Sequence, residues 1–325
     1  MPARPHILFT ATFSTPFIRT DAEFLASRYP VTTVIRSGFT ALLHYAILLP
    51  RCDITFTWFA STYSALLVLG ARLLRKKSVI VLGGVDVAQM PQWKYGIWNS
   101  AWRARLVRYA LRRADAVLAV APALKEDAIR LARYDGGNIE VVPTGFDPGA
   151  WTPGPEKERL VLTVAKCSEV NRGMVKGLDF LAEIAAAAPD IRFVLVGVSE
   201  RLRGSFTFPP NVQVLDAVPH EALKERYCRA KVYLQPSRRE GLPNALCEAM
   251  LCGCTPVATE TGGVPEAVGS TGAVIPFGNT KRAVTALRAA LDAPVSDAGR
   301  DRIMELYPHQ RRQDALTDLI GRLNR

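Results

Sequence analysis

The chain has 325 residues and a mass of 35.6 kDa, enough for two α/β domains, and its 49% hydrophobic content excludes a disordered chain. The formal charge is +11, divided as 18 Lys+Arg against 10 Asp+Glu (+8) in residues 1–150 and 23 against 20 (+3) in 151–325. A basic first half fits nucleic acid, anionic lipid or an acidic substrate, and charge alone does not choose among them.

The N-terminal run His6–Ala11 ends in polar residues, so a first β-strand is expected there, and not a signal peptide. Further strands are expected at 30–35, 52–59, 78–84, 115–120 and 138–143. Between them, helical spacing appears at 21–29, 39–49, 61–77, 98–113 and 122–134. The second half repeats the alternation with strands at 159–166, 191–197, 211–218, 230–236, 254–260 and 272–277. Buried strands alternating with helices imply a parallel, doubly wound sheet in each half. The Pro/Gly-rich stretch 143–157 reads as a hinge between them. The expected organisation is α/β, two Rossmann-like domains over 1–145 and 146–305 that face each other across a cleft. A terminal helix in 306–325 would pack back on the first domain. No run approaches ~20 apolar residues, so no membrane span is expected. Cys52, Cys167, Cys228, Cys247, Cys252 and Cys254 lack metal-ligand spacing, and reduced cytosolic thiols are expected.

Most of the chemistry lies in 234–269. A strand ends at Gln235, a polar loop follows, and a helix starts near Pro243-Asn244, where Pro wastes no backbone donor. The amides of Gly241, Leu242 and the first helical turn suit an anion or a sugar hydroxyl. Glu240 precedes the helix and Glu248 lies in its second turn, so two carboxylates are available to vicinal hydroxyls. A second constellation spans 163–181. A strand ends at Lys166, the loop carries Arg172, and Lys176-Gly177 opens a helix, an arrangement of cations that suits a diphosphate.

These residues resemble the motif of glycosyltransferase family 4, retaining enzymes of the GT-B fold. The motif has two glutamates separated by seven residues, then Ala-Met, Gly-x-Pro-Val and Gly-Gly-x-Pro-Glu. Here it reads Glu240, Glu248-Ala249-Met250, Gly253-Cys254-Thr255-Pro256-Val257 (one residue longer) and Gly262-Gly263-Val264-Pro265-Glu266. The resemblance implies that Glu240, with Gly241, Leu242, Pro243 and Asn244, contacts the donor sugar, and that Glu248 holds the nucleotide ribose. It implies that Lys176 binds the leaving diphosphate. Lys166 stands where the family usually has Arg, and Arg172 is the other candidate for a second cation. Lys and Arg are not equivalent at a bidentate site.

The first half departs from the family. The loop after the first strand has no glycine, so residues 12–20 must offer side chains, among them Phe17 and Arg19, or a helix terminus capped by Thr20 or Asp21. After the fourth strand stands Gly83-Gly84-Val85-Asp86, which resembles a subset of the family. Asp86 is either a hydrogen-bond partner for acceptor or donor sugar, or a turn cap. His6, His44, His220 and His309 fit no catalytic pattern and are read as structural. No Asp-x-Asp occurs, so no metal or other cofactor is expected and the cations take the electrostatic role.

The segment 98–113, with Trp98, Trp102 and five arginines, is either a packed helix or an element lying on an anionic membrane. No nucleic-acid module is recognisable. The expected function is retaining transfer of a sugar from a nucleotide-sugar to a saccharide or lipid-linked acceptor, in the cytoplasm or at the inner face of a membrane. The rival readings are a phosphorylase or epimerase of the same fold and a non-catalytic nucleotide-sugar-binding homologue.

Overall fold

The structure, a computed structural model, describes residues 4–325; residues 1–3, which open the expected first domain, lie outside the described residues. Among the described residues, twelve strands form two sheets. In the first are β1 (Ile7–Ala11), β2 (Val31–Ile35), β3 (Ile54–Trp58), β4 (Lys77–Leu82), β5 (Ala116–Ala119) and β6 (Ile139–Val141), in the order β2-β1-β3-β4-β5-β6. In the second are β7 (Glu158–Cys167), β8 (Arg192–Val198), β9 (Val212–Leu215), β10 (Ala230–Gln235), β11 (Thr255–Thr259) and β12 (Ala273–Ile275), in the order β12-β11-β10-β7-β8-β9. Every neighbouring pair is parallel.

Parallel strands need long crossovers, which put helices on both faces, so strands are buried on both sides. That is why β1, β3 and the body of β4 are buried along their whole length, the threonines of β1 and β3 included. Both sheets are Rossmann-like, and each forms its own compact unit. One unit comprises the chain to Thr144 together with Gln310–Arg325, and the other is Gly145–His309.

The terminal helix His309–Leu323 is tied to the first unit by a buried ion pair. Arg312 Nε and Nη2 donate to the two oxygens of Asp21 at 2.7 and 2.6 Å, and Trp58 Nε1 donates to Asp21 at 3.0 Å. Arg312 Nη1 also donates to the carbonyl of Val142. This corrects the expectation that Thr20 or Asp21 caps a helix start. The helix runs Pro16–Arg28, beginning with Pro in its first turn, and Asp21 faces inward from its second turn. Thr20 Oγ1 donates to the carbonyl of Pro16.

In the second unit the chain leaves β7 for β8 on one side, while β10 flanks β7 on the other. The carboxyl ends of β7 and β10 therefore border a topological switch point. There the following loops diverge and leave a crevice, the usual ligand position in open α/β sheets.

Candidate functional site

The loops after β7 and β10 meet at this switch point. After β7 the chain makes a short helix, Val170–Val175, and then Lys176 and Gly177, which precede the helix Leu178–Ala186. Gly177 has φ +72, and a Cβ there would stand 1.9 Å from the carbonyl oxygen of Pro236. Only glycine permits both that backbone conformation and that approach. On the other loop, Arg238 grips Asp179 through both nitrogens at 2.6 and 2.5 Å, lies over the Phe277 ring at 4.1 Å, and gives its amide to the carbonyl of Val175. A bidentate Arg–carboxylate pair is geometrically specific, so this clasp fixes one loop against the other.

The outcome is a contact between Lys176 Nζ and Glu240 Oε1 at 2.7 Å, with side-chain exposures of 24% and 9%. Gln235 Nε2 (2.9 Å) and Ser237 Oγ (2.7 Å) donate to the same oxygen. All three of these bonds to the carboxylate thus fall on Oε1. Beneath the loop lies the Gly-Gly turn. Gly262 has φ +54, a Cβ on it would meet the Glu240 carbonyl oxygen at 2.1 Å, and Gly263 donates its amide to Gly241 at 2.7 Å. Three segments distant in sequence, 175–177, 236–241 and 262–263, are thereby brought into backbone contact.

Burial pushes the Cys167 thiol pKa up, opposed by the charges of Lys176 and Arg172 and reinforced by that of Glu240. These three side chains therefore lie within electrostatic reach of the end of β7. Lys166 is exposed near that end, beside an irregularity between Val164 and Cys167 in the pairing with β8, and Arg172 is exposed on the short helix.

The helix Asn244–Leu251 begins at Pro243 and carries Glu248, which is buried. Its Oε1 is 2.8 Å from His220 Nε2, and its Oε2 accepts from the Tyr227 hydroxyl at 3.3 Å. Burial, followed by the Glu248 charge, raises the Tyr227 pKa well above the usual phenol value, so this hydroxyl keeps its proton and donates. The Trp151 ring lies edge-on to His220 and Tyr227 at 5.0 and 5.6 Å between centroids. A carboxylate has about four lone-pair directions, and these contacts occupy two of them. His220, read from the sequence as structural, is a partner of Glu248. It stands 28 residues before its partner, in a Pro-His-Glu turn that carries no recognisable motif.

In the first unit, Asp86 is the turn cap. Its carboxylate is fully buried and accepts from the amides of Ala60 (3.0 Å), Gly83 (3.2 Å) and Gly84 (2.7 Å). Burial raises its pKa against the pull of those amides. This corrects the alternative that placed Asp86 on a sugar, and it makes Gly83 and Gly84 donors to their own turn. Phe17 packs half-buried against Trp58 at 5.0 Å between centroids, and Arg19 is exposed. Trp98 is buried with Nε1 donating to the carbonyl of Asp86 at 2.8 Å, which removes it as a surface anchor; Trp102 is exposed. Among the described residues, no cluster of three His, Cys, Asp or Glu is placed to hold a metal ion, and no helix is long and apolar enough to cross a membrane.

Comparisons with known proteins bear on both units. Residues 158–293 match the family described as "Glycosyl transferases group 1", and residues 6–150 match "Glycosyltransferase Family 4". The phosphatidylinositol N-acetylglucosaminyltransferase gpi3 subunit of Schizosaccharomyces pombe is 26% identical over 175 residues, covering 51% of this chain and 38% of that protein. The matched region thus spans less than half of that relative. The fold is shared with sucrose-phosphate synthase from Thermosynechococcus elongatus (TM-score 0.79, 19% identity, 98% of this chain and 99% of the other). It is also shared with HepE from Anabaena in complex with UDP-glucose (TM-score 0.76, 15% identity, 98% and 100%).

Proposed function

The chain belongs to the group 1 and family 4 glycosyltransferases, and from that membership we propose that it transfers a sugar from a nucleotide-sugar to an acceptor hydroxyl with retention of configuration and without a metal. The observation that carries the reading is the Lys176–Glu240 pair at the β7/β10 switch point. With Oε1 held by three donors, Glu240 presents Oε2 to vicinal hydroxyls of the donor sugar. Lys176, assisted by Arg172 or Lys166, meets the diphosphate, and Glu248 meets the ribose with its remaining lone pairs. The gpi3 subunit is named as a sugar transferase and HepE was solved with UDP-glucose, which supports a nucleotide-sugar donor here.

In the proposed step, the bond from the anomeric carbon to the diphosphate oxygen breaks with its electron pair going to that oxygen. The acceptor oxygen bonds to the anomeric carbon from the same face, and its proton passes to the departing phosphate. No enzyme nucleophile is required. The protein's contribution is orientation, together with cations aimed at the charge that grows on the leaving group.

The test is a panel of UDP-, GDP- and ADP-sugars, first by thermal shift, then by turnover with candidate saccharide and lipid-linked acceptors. One donor should stabilise the protein and be consumed in excess chelator, and proton NMR should show the donor's anomeric configuration in the product. An inverted product refutes retention. Abolition by chelator with rescue by magnesium or manganese refutes metal independence.

A further inference from the structure

Among the described residues, nine of the fourteen exposed large hydrophobic side chains lie within 39–106. Their clustering follows from topology. With right-handed crossovers, the connections β2→β3, β3→β4 and β4→β5 all run in one direction across the sheet, so their helices share one face. These helices are Phe39–Leu48, Thr62–Leu73 and Ala101–Arg113. The first two join through Tyr45 and Tyr63, whose rings are 6.3 Å apart, and through Leu49 and Gly70. Arg72 reaches the carbonyl of Arg113 across the second and third.

The inward sides of these helices carry the ordinary core, for example Tyr45, Leu67 and Val107. Their outward sides are apolar as well. Phe39, Leu43 and Ile47 repeat at intervals of four on the first helix, and Leu66, Leu69 and Leu73 at three and four on the second, with Phe39 73% and Leu73 76% exposed. Trp102, 57% exposed, begins the same outward side on the third. A soluble surface helix shows its apolar stripe to the core and polar residues to water, and these show apolar residues on both sides.

The stretch of sequence that carries this face is one-sided in charge, although Lys77 pairs with Asp115 just beyond it. Residues 36–113 contain twelve Lys+Arg and two Asp+Glu, a net +10 in a chain of +11. Of the two acids, Asp86 is buried in its turn and Asp53 pairs with Lys76 at 3.4 Å. Arg103 and Arg105 are exposed on the third helix and Arg75 just beyond the second. A large apolar patch marks an interaction surface. Apolar side chains rimmed by unbalanced cations match a bilayer with anionic headgroups, where the former enter the acyl boundary and the latter stay with phosphate. A second copy of the chain matches poorly, because it would bring two strongly cationic faces together.

We propose that the outward face of these three helices is a docking surface for an anionic lipid bilayer. This assignment is independent of the transfer reaction. The test is flotation of the full chain with vesicles of phosphatidylcholine alone and with about one-third phosphatidylglycerol. The chain should float with the anionic vesicles and be released as salt is raised from 0.1 to 0.5 M, through screening. Removing an arginine near an anionic surface lowers partitioning about fivefold, so Arg103→Glu with Arg105→Glu should lower it at least about 25-fold. Leu69→Glu with Leu73→Glu should abolish flotation while leaving the thermal melt unchanged, since both side chains are exposed. Should that pair fail to fold, the arginine pair and the fluorescence of Trp102, blue-shifted on anionic vesicles and compared with Trp102→Phe, decide the matter. The proposal is overturned by absence of flotation, by equal flotation with neutral vesicles, or by a dimer that the leucine pair dissolves.

Discussion

Replacing Lys176 with alanine removes a cation that the proposed mechanism sets beside the leaving diphosphate and the structure sets 2.7 Å from Glu240. If it opposes charge developing in the transition state, the loss resembles that of one oxyanion donor, about 2.7–4 kcal/mol or a 100–1,000-fold fall in kcat. A second effect arises because Glu240 Oε1 keeps Gln235 and Ser237 but loses a charged partner. A looser carboxylate affects sugar binding, and that appears in the donor KM. The assay is initial-rate turnover of the best donor from the panel, with wild type, Lys176→Ala, Glu240→Gln and the double variant. We expect kcat to fall at least about a hundredfold in Lys176→Ala while the donor KM changes far less. The double variant should be worse than Glu240→Gln alone, since the lysine also acts on the phosphate. A rise in KM with kcat spared would mean that the lysine binds only the ground state. A double variant no worse than Glu240→Gln would mean that it acts solely by holding Glu240. Either result refutes the electrostatic account.

Glu248→Ala should weaken nucleotide binding by about 1.5–3 kcal/mol, measured by calorimetry. It should also lower the melting temperature, because the buried Tyr227 hydroxyl loses its acceptor; an unchanged nucleotide Kd sinks the ribose assignment. Asp86→Asn places an amide NH2 among backbone N–H donors and should cost about 1–3 kcal/mol of stability by urea unfolding. A variant that melts like wild type yet loses activity would return Asp86 to the ligand. Asp21→Ala strips a buried guanidinium of its partner and should destabilise the first unit by about 3–5 kcal/mol; a loss under about 1 kcal/mol refutes the view that this pair secures the terminal helix.

The sequence by itself determined the elements and the motif residues. Short apolar runs such as Ile7–Phe9 fit strands covered on both faces, and their alternation with helical periods points to a parallel sheet as the arrangement that buries them. Gly177 and Gly262 were legible only as motif residues, and it is the structure that shows each at a positive φ against a distant carbonyl. Partners far apart in the chain were decided only by tertiary structure. Nothing local says that Arg312 will neutralise Asp21, 291 residues away, or that His220 and Tyr227 will hold Glu248. Asp86 shows why. A carboxylate in a glycine turn has the same local signature whether it faces a ligand or its own amides, and only burial, which forces it to satisfy every lone pair internally, separates the two. The apolar face over 39–106 follows the same logic. Hydrophobic periodicity reports that a helix has an apolar side, and only the packed sheet shows which apolar sides are left over once the core is full.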